Sequence, residues 1–317
     1  MNNYLYIASR TKNGGIFTYA LNKDNQYEKI SFTAMDSPMY MITSEKKMYI
    51  LLRSPFGNSE SGLISYDISD DGTLNTPSDI ISTKGEIACH LAKDGENIYC
   101  TNYSSGSVIK MPDTLVKHKS NLSIESHTHF ASITPDGQYI CVTDLGLDKI
   151  FIYDKNLRLI NQIDMPKGHG VRHLAFSTDG QYVFSANELK STISVLKYNN
   201  ANMELIDTIS CLPSEFNGIS SAAAIRLHNE YIYVSNRGHN SISKISFNGK
   251  SLHFVDFFEC QGETPRDFIF DENRIICANQ DSNSVTVFKE NEGYEFIQKI
   301  NIDEPICVTL YNFKKED

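Results

Sequence analysis

The chain predicts an all-β fold, a seven-bladed β-propeller with four antiparallel strands per blade. Three observations carry this expectation. A β-rich phrase recurs seven times, its copies are spaced by 42 to 50 residues, and no long stretch shows convincing helical periodicity.

Each copy is a β-rich run ending on a small or polar residue, then a short loop, then a second β-rich run. The copies are YIASR…GGIFTY from Tyr6, YILLR…SGLISY from Tyr49, YCTNYSSGSVIK from Tyr99, CVTDLGLDKIFIY from Cys141, FSANELKSTISVL from Phe184, YVSNRGHNSISKI from Tyr233 and ICANQDSNSVTVF from Ile276. Three places into each stands an anchor: Ser9, Leu52, Asn102, Asp144, Asn187, Asn236 and Asn279, separated by 43, 50, 42, 43, 49 and 43 residues. Asn and Asp readily bond local backbone at a turn, and a role repeated in most blades is structural.

Ahead of most copies lies a candidate innermost strand, as in HFASITPDGQYI (129–140) and RHLAFSTDGQYV (172–183). Asp94-Gly95, Asp136-Gly137 and Asp179-Gly180 mark three hairpins there, because Gly tolerates the positive φ of a tight turn. After each copy comes a more polar segment, such as 205–210, suited to an exposed outer strand. The chain starts on a second strand, YLYIAS, and ends on EPICVTLY (304–311), which has the character of an innermost one. Residues 305–311 are therefore expected to complete the blade begun by residues 4–33, so that no sheet edge is left open. One domain, 1–317, results.

Bulk properties narrow the function. Hydrophobic residues make up 40% of the 317 and charged ones 21%, a globular composition with enough apolar mass for a large core. A net charge of −10 argues against nucleic acid as a partner. No basic amphipathic helix or long apolar run points to a membrane. The seven cysteines show no metal-ligand or disulfide spacing, and MNNYLYIASR lacks the make-up of a secretory signal. A cytoplasmic monomer is expected, with no cofactor.

In an up-and-down blade, residues just after the second strand and just before the inner strand rim the same mouth of the channel. The first set is Arg10, Arg53, Tyr103, Leu145, Glu188, Arg237 and Gln280; the second includes His90, His127, His129, the Arg172-His173 pair and Arg266. An acidic chain that gathers Arg and His on one rim suggests an anion-binding pocket, because planar guanidinium groups grip pairs of oxygens. Strict alternation would point His173 away from Arg172. His118, His228, His239 and His253 have no convergent context and read as surface or loop residues.

The phrases GHGVRHLAFSTDGQYVFSANELKSTISVLKY, IYVSNRGHNSISKI and ETPRDFIFDENRIICANQDSNSVTVF resemble the seven-bladed lactonase propellers, a family that includes bacterial 6-phosphogluconolactonases and a fungal carboxy-cis,cis-muconate cyclase. The resemblance is strong from His127 to Phe288 and weaker in the first two blades, where Leu52 replaces the usual anchor. It implies a cluster of one His, two Arg and one Glu, matched here by His129, Arg172, Glu188 and Arg237, with His127 an alternative for the histidine. Arg10, Arg53, Arg266 and Gln280 would hold substrate. The implied activity is hydrolysis of a small anionic sugar lactone, 6-phospho-D-glucono-1,5-lactone, to 6-phosphogluconate, a step of carbohydrate metabolism in the pentose phosphate pathway. The alternatives are a lactonising cycloisomerase acting on a carboxymuconate, and a non-catalytic interaction scaffold. Calcium-dependent lactonase propellers use buried carboxylates around the axis; one or two carboxylates among several Arg make a poor cation site, so no metal is expected.

Overall fold

The computed structural model describes residues 2–120 and 124–313. The fold is all-β, seven antiparallel sheets in succession, and the only helical segment among the described residues is one 3₁₀ turn, Glu188–Lys190. The sheets fall into two compact units, Met1–Ser82 with Cys260–Asp317, and Thr83–Glu259.

The first unit holds three blades. In blade 1, Pro305–Phe313 pairs with Asn2–Ser9, followed outward by Gly15–Leu21 and Tyr27–Ala34. The C-terminal strand thus completes the N-terminal blade, in the register Leu5↔Leu310 and Ile7↔Val308. Blade 2 comprises Pro38–Ser44, Lys47–Leu52, Glu60–Ile68 and the short Leu74–Asn75. Blade 7 comprises Pro265–Asp271, Arg274–Asn279, Ser284–Glu290 and Tyr294–Asn301. Leu5, Ile7 and Val308 of blade 1 pack on Ile276, Val285 and Val287 of blade 7.

The second unit holds four blades. Blade 3 is Ala88–Asp94, Asn97–Asn102, Ser107–Lys110 and Thr114–Lys117; blade 4 is Thr128–Ile133, Tyr139–Asp144, Lys149–Asp154 and Leu159–Asp164. Blade 5 is Val171–Phe176, Tyr182–Asn187, Thr192–Asn199 and Asn202–Ser210; blade 6 is Ser221–His228, Tyr231–Arg237, Ser241–Phe247 and Leu252–Glu259. Middle strands read as unbroken buried runs, such as Ile140–Asp144 and Val183–Asn187, because both of their faces are covered by neighbouring blades. Apolar layers fill the gaps: Tyr99, Val108, Ile140 and Val142 between blades 3 and 4, Cys141, Ile150, Val183 and Leu196 between 4 and 5, Phe184, Val195, Ile232 and Val234 between 5 and 6. Each such side chain contributes about 1.5–3 kcal/mol by leaving water. All seven cysteines are free thiols. No helix of the described residues is long and apolar enough to cross a membrane.

The anchors behave as a repeated structural device. Asn102 Nδ2 donates to Thr83 O and Ser107 Oγ, both at 3.1 Å. Asn187 and Asn236 make the matching bonds to Thr192 and Ser241 at 3.1 and 3.3 Å, and together with Asn279 they also donate to Ser194, Ser243 and Thr286, each at 2.9 Å. Asp144 departs from this pattern. Its Oδ1 accepts from the amides of His127 and Leu147, while Oδ2 lies 2.6 Å from His118 Nδ1. His118 is thus no surface residue: it is buried, with Tyr153 Oη 2.8 Å from its other ring nitrogen. Burial opposes the charge on Asp144, yet the bonds from His118, Ser126 and the His127 amide hold its carboxyl below the ordinary value.

Every inner strand carries a β-bulge near its first residues. In blades 1 to 5 and 7 the extra residue is Ile306, Met39, Cys89, His129, Arg172 and Arg266; in blade 6, Ala223 and Ala224 together face Ser235. A bulge sets two successive residues against one on the partner strand and re-aims their side chains. This overturns the expectation that His173 points away from Arg172. Val171 faces Asn187 and His173 faces Ala186, so Arg172 is the inserted residue and its guanidinium reaches the neighbouring imidazole.

Candidate active site

The candidate site lies wholly within the second unit. Glu188 follows the anchor Asn187 and opens the 3₁₀ turn, whose amides are tied back to the loop before the inner strand: Glu188 N donates to Gly170 O and Leu189 N to His169 O. Its carboxylate is shared by two arginines. Glu188 Oε2 lies 2.9 Å from Arg172 Nε and 2.9 Å from Arg237 Nη2. The Arg172 side chain is 3% exposed, Glu188 19% and Arg237 16%, so the cluster is shielded yet open at the carboxylate.

The inner strand of blade 6 supplies backbone acceptors at and beside its bulge. Arg172 Nη1 donates to Ala223 O at 2.8 Å and Arg237 Nη2 to Ala222 O at 3.1 Å. The run Ala222–Ala224 is fully buried, and methyl-sized side chains let both guanidinium groups approach that backbone. Gly238 sits directly after Arg237 with φ +98°, where a Cβ would fall 2.3 Å from Ile219 O. Ser220 Oγ closes the same turn by donating to Arg237 O.

Histidines and aromatics form the rest. His129, the bulge residue of blade 4, is buried with its ring edge-on to His173 and Tyr103 at centroid separations of 5.1 and 5.8 Å. His127 instead stacks flat on Tyr103 at 4.5 Å, with Nδ1 3.3 Å from Tyr103 O. Of the two histidines left open by the sequence, His129 touches His173, the ring that contacts Arg172, whereas His127 touches Tyr103. Burial raises the Tyr103 phenol above its ordinary value, and the Glu188 charge adds to this. Beneath them His90, Phe130 and His173 pack on one another, with centroids 4.2 to 5.4 Å apart. Burial pushes the imidazoles of His90 and His173 well below the usual histidine range; Arg226 and Arg172 reinforce this for His90, and Arg172 and His129 for His173.

Of the four residues the resemblance implies, the structure brings Arg172, Glu188 and Arg237 into contact and links His129 to them through the His173 ring. Sequence reasoning missed Tyr103, His173, Arg226 and the two alanine carbonyls as members. Tyr103 is one of the rim positions that follow the anchors, and that place in the repeat is the signal for it. The other four sequence candidates lie in the first unit. Arg10 is in an ion pair with Glu304, Nη2 to Oε2 3.1 Å; Arg53 is exposed; and Arg266 Nη1 donates to Gln280 Oε1 at 3.4 Å. Among the described residues no group of three or more His, Cys, Asp or Glu is disposed to hold a metal ion.

Comparison with known proteins fixes the family. The family model described as "Lactonase, 7-bladed beta-propeller" matches residues 4–310. The chain belongs to this family. As a lactonase-family protein it is a seven-bladed β-propeller. It is similar to an uncharacterized protein of Staphylococcus epidermidis, 30% identical over 341 residues that cover 96% of this chain and 99% of that one. Among solved structures, a Bacteroides uniformis protein described as a candidate 6-phosphogluconolactonase superposes with a TM-score of 0.87 at 25% identity, over 98% of this chain and 99% of that one. A periplasmic gluconolactonase of Pseudomonas aeruginosa superposes with a TM-score of 0.89 at 23% identity, over 98% and 99%, a likeness of fold.

Proposed function

We propose that this lactonase-family propeller hydrolyses a small anionic sugar lactone, 6-phospho-D-glucono-1,5-lactone being the substrate that fits best. The observation that carries the reading is the single carboxylate of Glu188 held between the guanidinium groups of Arg172 and Arg237, with His173 in contact with both Arg172 and the buried His129. Two cations on one anion leave a net positive site in a chain of net charge −10, which favours a ligand bearing phosphate or carboxylate. The family and its gluconolactonase neighbours support lactone opening as the chemistry.

In the proposed reaction a water oxygen bonds to the lactone carbonyl carbon while His129 or Glu188 takes the water proton. Negative charge builds on the carbonyl oxygen, where an arginine stabilises it. The ring C–O bond then breaks, and the proton passes to the departing ring oxygen, giving an open acid with a free hydroxyl.

The test is purified protein mixed with freshly generated 6-phosphogluconolactone, with acid formation followed against spontaneous hydrolysis. The expected result is a clear rate enhancement, lost by about 100-fold or more in Arg172→Ala. An absent enhancement overturns this substrate, and turnover of a carboxymuconate instead would assign the cycloisomerase chemistry.

A further inference from the structure

His173 has a defined task in this site. A guanidinium can only donate hydrogen bonds, so the 3.1 Å contact between Arg172 Nη1 and His173 Nε2 makes that ring nitrogen the acceptor. The ring proton must then sit on Nδ1. The second Nη1 proton goes to Ala223 O, and Nε of the same guanidinium lies against Glu188. A carboxylate, a carbonyl and one imidazole thus all bear on the orientation of Arg172. The ring is 5% exposed. The charged and titratable groups facing it are Arg172 on its own strand, His129 from blade 4, His90 from blade 3 and Arg226 from blade 6. None is a carboxylate, so nothing at hand would balance a charge on the ring, and a protonated ring would both lose its acceptor and repel Arg172.

We propose that His173, held as the neutral Nδ1–H tautomer, is a positioning residue that orients the Arg172 guanidinium toward Glu188. The consequence for turnover rests on the lactonase reading above; the tautomer does not. Nitrogen-15 NMR of histidine-labelled protein, with His173 assigned from the signal missing in His173→Gln, reads the tautomer directly. An Nδ1–H ring that does not titrate between about pH 5.5 and 7.5 is expected, and its preference should disappear in Arg172→Ala. An Nε2–H ring, or an unchanged Nδ1–H ring once Arg172 is gone, overturns the proposal.

Kinetics supply the second arm. Gln can place Oε1 where Nε2 stood, whereas Phe keeps the bulk and removes the acceptor. His173→Gln should keep kcat/KM within about threefold, and His173→Phe should lose roughly 10- to 100-fold through misplaced Arg172. Equal losses in both variants would mean a packing role and sink the idea, as would equal retention. A wild-type protein without lactone turnover would remove the functional reading and leave NMR to decide the positioning.

Discussion

Glu188 concentrates the consequences of single substitutions. Replacing it with Gln keeps the shape and removes the charge that Arg172 and Arg237 share, so both chemistry and stability should suffer. We expect kcat/KM to fall by about 10²–10⁴ if the carboxylate handles the proton. Stability should drop by about 1–3 kcal/mol, less than for a sealed ion pair because water reaches this carboxylate; steady-state kinetics and thermal melts check the two. The buried imidazoles make a separate prediction. His90 and His173 have folded pKa values below the unfolded one. Below about pH 6.5 the unfolded chain therefore binds protons that the folded chain refuses, and stability falls as pH falls, by up to about 1.4 kcal/mol per pH unit for each histidine. Melts from pH 7.5 to 5 should show this slope, and His90→Phe should flatten it; an unchanged slope would show that His90 is not its source. Glu188 and Arg237 were legible as rim residues because each directly follows a repeated anchor, Asn187 and Asn236. His118 was not, since nothing in its local sequence announces that Asp144, 26 positions on, turns inward to meet it.

At the scale of the strand and turn, glycines test how the site is held. Gly137, at φ +69° in the Asp136-Gly137 hairpin, has open space where a Cβ would go. Gly137→Ala should cost only the backbone term of about 1–2 kcal/mol and leave turnover alone. Gly238→Ala meets a positive φ and a carbonyl oxygen at 2.3 Å together, so it should cost more and also lower kcat/KM by shifting Arg237. Equal melting temperatures for the two variants would contradict this account. Hairpins and outer strands were readable in advance, because Asp-Gly pairs and polar composition are local signals. The bulges were not. Counting by twos along RHLAF assumes an unbroken pleat, and the insertion at Arg172 appears only when its partner strand is in register beside it.

For the whole molecule, the pairing of the two chain ends is the expectation the structure met most directly. Pro305–Phe313 supplies the inner strand of blade 1, with Ile306, Cys307 and Val308 buried. Removing residues 305–317 would bare the ladder edge of Asn2–Ser9 and its apolar face, and aggregation or a strongly lowered melting temperature should follow; a soluble truncation with an unaltered melt would refute it. This closure was legible because a repeat that starts one strand late must end one strand over. The recurrent bulge has a further meaning for how such a chain diversifies. One added residue per blade, carried as Ile, Met, Cys, His, Arg, Ala or Arg along the chain, stands outside the hydrogen-bonded ladder. It works as a socket whose occupant can be exchanged without resetting the strand that carries it. New chemistry can then be tried one blade at a time, while the scaffold that holds it stays the same.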